Sequence, residues 1–180
     1  MISNIVTLFR TGLTVPLFVM LMLSGPGIWP LGLFLLAGLL DILDGKLARA
    51  LNQTSRLGGL MDLVGDRLLT LSAVAGLLAS QSLSALGASA AIILVARCAI
   101  VASAGEALGG PDRLAASKLE HLKIASSFAG LSLAMAPQFL ADLPVDQAMI
   151  AYVFLLLAAA LCLLTLADYT RQTVNSLQTA

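Results

Sequence analysis

The sequence predicts an all-α protein, a polytopic integral membrane bundle of six transmembrane helices forming one domain over residues 1–180. Three observations carry that expectation. Of the 180 residues, 59% are hydrophobic and only 11% are charged, well outside the composition of soluble globular domains. The mean hydropathy of +0.97 describes the whole chain, not one apolar segment joined to a polar domain. Apolar runs of roughly 20 residues, enough for a helix to cross a hydrocarbon core of about 30 Å, recur between short polar or Gly/Pro-rich breaks.

Span one is expected over Ile5–Leu23. No basic segment precedes it and no clear small-residue cleavage site follows, so it is expected to remain as a span and not to be removed as a signal peptide. Ser24–Pro30, reading SGPGIWP, breaks the run with glycine and proline before span two, Leu31–Leu51. A polar stretch from Lys46 to Arg56 leads to span three, Leu57–Ser80, and Gln81 and Ser82 to span four, Leu83–Ala104. The loop Gly105–Lys118 precedes span five, Leu119–Leu140, and the turn Ala141–Pro144 precedes span six, Val145–Ala167. The polar tail after Asp168 is too short to fold alone. Cys98 and Cys162 lie in apolar runs with no CxxC or histidine partner, which favours packing over a disulfide or a zinc site.

A formal net charge of zero argues against a nucleic-acid binder that works through a basic surface. The placement of charge says more. Arg10, Lys46, Arg49, Arg56, Arg67, Arg97, Arg113, Lys118, Lys123 and Arg171 all fall on one side of the six spans, and the opposite loops carry only Asp142 and Asp146. The excess of positive charge places that side, with both termini, in the cytoplasm. The expected location is the inner cell membrane, multi-pass, with any chemistry at its cytoplasmic face.

Four of the ten acidic residues fall within DILDGKLARALNQTSRLGGLMDLVGD, Asp41 to Asp66. Helical spacing puts Asp41 and Asp44 on one face, and Asp62 and Asp66 on another. A reversal at Asn52–Ser55 makes spans two and three antiparallel neighbours, which brings the two pairs to similar depth. Carboxylates gathered near lipid repel one another and lose hydration, so cations must neutralise them. An all-oxygen donor set suits Mg²⁺, Mn²⁺ or Ca²⁺ over zinc or copper, and two such ions fit four carboxylates. Gly58, spaced by fours from Asp62 and Asp66, removes bulk from their face, as Gly45 and Ala48 do beside Asp44 and Asp41. Arg49 adds a planar fork for phosphate oxygens. Together these describe a slot for a flat or phosphorylated ligand.

Plainer readings exist for the parts. Small residues in membrane helices commonly mediate close packing, and a lone intramembrane aspartate suggests an ion site or proton relay. An ion or metal transporter would distribute polar residues through several spans, whereas spans one, four and six carry few or none on the far side. An intramembrane aspartyl protease lacks its G-x-G-D pattern here, since position 63 is Leu63. A purely structural scaffold has no use for clustered aspartates of this cost.

The stretch resembles the signature of the CDP-alcohol phosphatidyltransferase family, D-x-x-D-G-x-x-A-R-x8-G-x-x-x-D-x-x-x-D. Every fixed position is present: Asp41, Asp44, Gly45, Ala48, Arg49, Gly58, Asp62 and Asp66. The length, the six predicted spans and the cytoplasmic ends are similar to the family as well. The resemblance implies an enzyme of phospholipid synthesis, most like bacterial phosphatidylglycerophosphate synthase, that moves a phosphatidyl group from CDP-diacylglycerol to an acceptor hydroxyl and releases CMP. It implies that Asp41, Asp44, Asp62 and Asp66 hold two divalent ions, Mg²⁺ or Mn²⁺, at the pyrophosphate. It implies that Gly45, Ala48 and Gly58 make room for the nucleotide of the CDP-lipid and that Arg49 neutralises phosphate charge. Asp66 would also be the catalytic base for the acceptor hydroxyl, a division of labour that suits phosphoryl transfer. A homodimer is implied too.

For the acceptor, Asn4-Ile-Val-Thr7-Leu-Phe-Arg10 is similar to the N-x-x-T-x-x-R near the start of bacterial phosphatidylglycerophosphate synthases and related cardiolipin synthases, which implies glycerol 3-phosphate. An acceptor with its own phosphate needs basic residues, and Arg10, Arg97, Arg113, His121 and Lys123 are the candidates. Where those synthases carry a G-K-x-K-T-like run, this chain reads Glu120-His121-Leu122-Lys123-Ile124, keeping Lys123 and placing His121 at the first lysine. Inositol phosphate, serine, choline and phosphatidylglycerol stay open as acceptors. His121 also suits simple interfacial solvation, and Arg113 suits contact with anionic lipid heads. Arg97, late in a span, requires a partner.

Overall fold

The computed structural model describes residues 2–50, 56–107, 118–136 and 147–178, with side-chain surroundings for 8–43, 64–100, 122–136 and 149–166. These residues form six helices: α1 (Ile2–Ser24), α2 (Ile28–Ala50), α3 (Arg56–Ala79), α4 (Ala85–Ala107), α5 (Lys118–Met135) and α6 (Gln147–Gln178). No strand occurs among the described residues. Each expected span overlaps one of these helices within the described residues, and local chemistry sets the ends.

After α1, Gly25 takes a φ of 71°, and its N–H donates to the Leu21 carbonyl at 2.9 Å. Glycine adopts this left-handed stop without a Cβ penalty. After α3 the same stop falls on Gln81, with a φ of 53°. The N–H groups of Gln81 and Ser82 donate to the carbonyls of Leu78 and Leu77 at 3.1 and 3.2 Å, which closes the helix end. The hydroxyl of Ser84 accepts from the Gly87 N–H at 3.3 Å and caps α4, so that helix starts at Ala85 and not at Leu83. Helix α5 stops at Met135, short of the expected Leu140, because Pro137 has no N–H for the ladder and disfavours helical backbone before it. Helix α6 continues past the expected Ala167 to Gln178. Extending an existing helix needs no new nucleus, so the polar tail becomes its last turns.

The chain divides into two compact units, Met1–Leu83 with Ala134–Pro144, and Ser84–Leu133 with Val145–Ala180. In the first, α1, α2 and α3 pack on one another. Helix α1 buries Arg10, Thr14, Leu17 and Leu21 along one stripe, while Leu8, Phe9, Val15 and Val19 are exposed. The polar Arg10 and Thr14 thus face inward beside Leu17 and Leu21, while the outward face is apolar, unlike the polar outer face of a soluble surface helix. A methyl group added at Gly76 would lie 2.6 Å from Leu21 Cβ, and one at Gly65 would lie 2.7 Å from Arg10 Nη2. Both contacts advance by three turns in the same direction along each helix. Helices α1 and α3 are therefore parallel and in register over about 16 Å.

In the second unit α4 packs on α6, and both helices bury small residues, Ala90 and Ala91 on α4 and Ala151, Ala158 and Ala159 on α6, which suits close backbone approach. The Ser84 N–H donates to the Tyr152 hydroxyl at 3.2 Å, and Arg97 Nη2 donates to Thr165 Oγ1 at 3.4 Å. Each pair is separated by 68 residues, so α4 and α6 also run parallel and in register. Neither cysteine forms a disulfide, and Cys162 is buried.

Among the described residues, one helix is long and apolar enough to cross a membrane, α6 over Met149–Leu166, with 39% of that window buried. Shorter apolar stretches occupy Leu8–Ser24, Ile28–Leu43, Ala85–Ile100 and Leu122–Met135.

Candidate functional site

The motif residues fall on the last turns of α2 and the first half of α3, two helices that pack together. Helix α2 carries Asp41, Asp44, Gly45, Ala48 and Arg49 before ending at Ala50, and α3 carries Gly58, Asp62 and Asp66. All eight lie on helical backbone. The side chains of residues 44–63 lie outside the described residues, so Asp41 and Asp66 are the aspartates whose surroundings are defined. Asp66 is exposed, and its carbonyl accepts from the Thr70 hydroxyl at 3.2 Å.

Asp41 has an ion-pair partner that its own helix does not supply. Its Oδ1 pairs with Nη1 of Arg10 on α1. The Arg10 side chain is wholly enclosed, whereas 37% of the Asp41 side-chain surface is open. The guanidinium is therefore fully covered, while the Asp41 side chain keeps part of its surface accessible. An enclosed arginine without a counter-charge would be strongly unfavourable, and the carboxylate relieves that. Gly65 forms the other wall of the slot: besides the 2.7 Å approach to Nη2, a methyl group there would lie 3.0 Å from Thr11 Oγ1 and 3.4 Å from Arg10 Cζ. Arg10 thus touches both helices of the motif, α2 through Asp41 and α3 through Gly65. Sequence reasoning placed Arg10 among acceptor candidates and passed over Gly65. The available signal was a glycine three turns before Gly76, between two motif aspartates.

The donor set offered by α2 and α3 consists of carboxylate oxygens, which fit a hard divalent cation. The open side of Asp41 and the exposure of Asp66 fit such a role. No group of three His, Cys, Asp or Glu converges among the described residues, and the side chains of Asp44 and Asp62 lie outside them.

In the second unit, Arg97 on α4 and Lys123 on α5 are both buried. Thr165, which accepts from Arg97, lies within 2.9 Å of the Leu161 carbonyl and 3.1 Å of the Cys162 carbonyl, either of which can take its proton. The carbonyl of Lys123 accepts from the Ser126 and Ser127 hydroxyls at 3.0 and 2.8 Å. Thr165 was also missed from sequence, although a hydroxyl late in span six, level with the basic residues, was a usable signal. Of His121 only the helical backbone is described, and Arg113 lies outside the described residues.

A relative from Streptomyces coelicolor, a cardiolipin synthase (CMP-forming), is 46% identical over 82 residues, covering 42% of this chain and 38% of that protein. A putative cardiolipin synthase from Mycobacterium bovis is 41% identical over 68 residues, 37% of this chain and 32% of its own length. A CDP-diacylglycerol–inositol 3-phosphatidyltransferase from Rattus norvegicus is 53% identical over 38 residues, 21% of this chain and 18% of that protein. The chain therefore spans well under half the length of the curated relatives it matches. The family model for CDP-alcohol phosphatidyltransferase matches residues 1–167, all six helices included in whole or in part, and the chain belongs to that family.

Proposed function

We propose that this chain is a membrane enzyme of phospholipid synthesis that transfers a phosphatidyl group from CDP-diacylglycerol to the hydroxyl of a small polar acceptor, releasing CMP. The observation that carries this reading is the complete eight-position motif on two packed helices, inside a family match over residues 1–167. Six spans, cytoplasmic termini and an inner-membrane location belong to the same reading. Support for them comes from the one-sided basic residues and from the outward-facing Leu8, Phe9, Val15, Val19, Leu35, Leu36 and Leu39. A homodimer is part of it as well.

Asp41, Asp44, Asp62 and Asp66 are the residues that would hold two divalent ions, Mg²⁺ or Mn²⁺. When bound, such ions supply charge neutralisation at the pyrophosphate and at the departing CMP. Gly45, Ala48 and Gly58 leave space for the nucleotide, and Arg49 offers two parallel N–H donors to phosphate oxygens. Asp66 accepts the proton of the acceptor hydroxyl. The resulting oxygen bonds to the lipid-side phosphorus as the bond from that phosphorus to the CMP oxygen breaks, and CMP leaves with the electron pair. The lipid tails stay in the apolar phase throughout.

The acceptor is assigned as glycerol 3-phosphate, whose phosphate suits the cationic residues Arg97, Lys123, Arg113 and His121. Support lies in the positive charge of these residues, since an acceptor that carries its own phosphate needs cationic partners. The relatives named as cardiolipin synthases favour a second reading, in which phosphatidylglycerol brings the same glycerol and phosphate as a diester. Purified protein, labelled CDP-diacylglycerol, Mg²⁺ or Mn²⁺ and a panel of acceptors test all of this together. Metal-dependent CMP release with glycerol 3-phosphate supports the first reading, and release with phosphatidylglycerol alone supports the second. No CMP release with any acceptor, including inositol, inositol phosphate, serine and choline, removes the transferase reading and returns an ion transporter to consideration.

A further inference from the structure

We propose that Arg10 is a positioning residue for Asp41, and that Gly65 is the gap that lets its guanidinium reach; this rests on the reading of Asp41 as a ligand to a divalent cation. The enclosed Arg10 grips one oxygen of the carboxylate, and 37% of the Asp41 side-chain surface stays open. A carboxylate held in that way has lost its freedom to rotate before any cation arrives, so its open side is presented in one orientation. Outer partners that orient a ligand in this manner commonly govern affinity for the ion.

The slot admits a planar guanidinium because residue 65 has no side chain. Any Cβ there would stand 2.7 Å from Nη2 and 3.4 Å from Cζ, and it could be accommodated only by withdrawing the fork from α3. Gly65 immediately precedes Asp66, so the backbone that carries one motif aspartate is the wall against which Arg10 is pressed while it holds another. Arg10 therefore sets the spacing of the two aspartate rows as well as the orientation of Asp41. Its enclosure explains why it does this and is poorly placed to meet a soluble acceptor.

The test uses the purified full chain without lipid substrate, and reads Mn²⁺ binding from the loss of the free-ion EPR signal. Gly65→Ala keeps both charges, and Arg10→Met keeps the bulk of the stem without the guanidinium. Each is expected to weaken Mn²⁺ binding by roughly 10–100-fold. In the Arg10→Met background, Gly65→Ala is expected to add no more than about twofold, because the group it would displace is gone. The approach to Thr11 is present in both backgrounds and cancels in the comparison. Wild-type Mn²⁺ affinity in both single variants overturns the inference, as does an equal loss from Gly65→Ala in both backgrounds. If the wild type binds Mn²⁺, Asp62→Asn abolishes it and the two variants bind normally, the inference fails alone. If the wild type takes up no Mn²⁺, the reading of Asp41 as a ligand fails with it.

Discussion

Replacing Gly76 by alanine tests how α1 and α3 meet, and with it the register that brings Arg10 to Gly65. The new Cβ would lie 2.6 Å from Leu21 Cβ, 2.9 Å from Cδ1 and 3.3 Å from Cγ, against about 3.5–4.0 Å for a relaxed carbon contact. Rotation of the leucine can relieve the second and third contacts. It cannot relieve the first, because Cβ is fixed to the backbone of α1. The two helices must therefore part by about 1 Å at this level, which opens the contacts of Leu21, Ala73 and Leu77, all wholly enclosed. Overpacking of this kind costs about 1–3 kcal/mol, an apparent Tm fall of roughly 2–12 °C for a chain of this size. Thermal unfolding of the detergent-purified protein, followed by circular dichroism, measures it. In a double-mutant cycle, Leu21→Gly should couple strongly to Gly76→Ala, and Leu21→Ala weakly, because alanine retains the offending Cβ. An unchanged Tm in Gly76→Ala, or equal coupling for the two Leu21 variants, would refute the parallel close packing.

Three further outcomes are expected. Asp66→Asn should lower turnover at least about 10²–10⁴-fold, the usual worth of a positioned base, while metal and CDP-lipid remain partly bound; near-normal turnover would remove the base assignment. Lys123→Ala should raise the acceptor KM more than the CDP-lipid KM, and an unchanged acceptor KM would place acceptor recognition elsewhere. Chelation of divalent ions should abolish CMP release and added Mg²⁺ or Mn²⁺ should restore it; CMP release that persists in chelator would contradict the metal role of the four aspartates.

Much of the helical layout was legible because it depends on composition over about twenty residues, and that is what apolar runs report. The errors lie where a few atoms decide. The Ser84 side chain moves the start of α4, and Pro137 shortens α5, both local effects that leave the neighbouring hydropathy unchanged. The polar residues after Ala167 look unable to form a helix alone and do so because α6 already exists to extend. Gln81 in the left-handed region is a further case, since nothing but the pair of closing hydrogen bonds marks it.

The aspartate motif could be read from the chain because its chemistry is written at fixed helical spacings on two consecutive helices, where local geometry alone aligns the carboxylates. The partner of Asp41 could not be read that way. Arg10 stands on a different helix and reaches Asp41 because α1 packs on α2, while α1 and α3 lie close enough at Gly65 and Gly76 that neither position tolerates a methyl group without movement. Contacts between elements depend on interhelical distance and register, and those follow from packing the whole unit. For the same reason the buried pairing of Arg97 with Thr165, 68 residues along the chain, emerges only when α4 and α6 lie side by side.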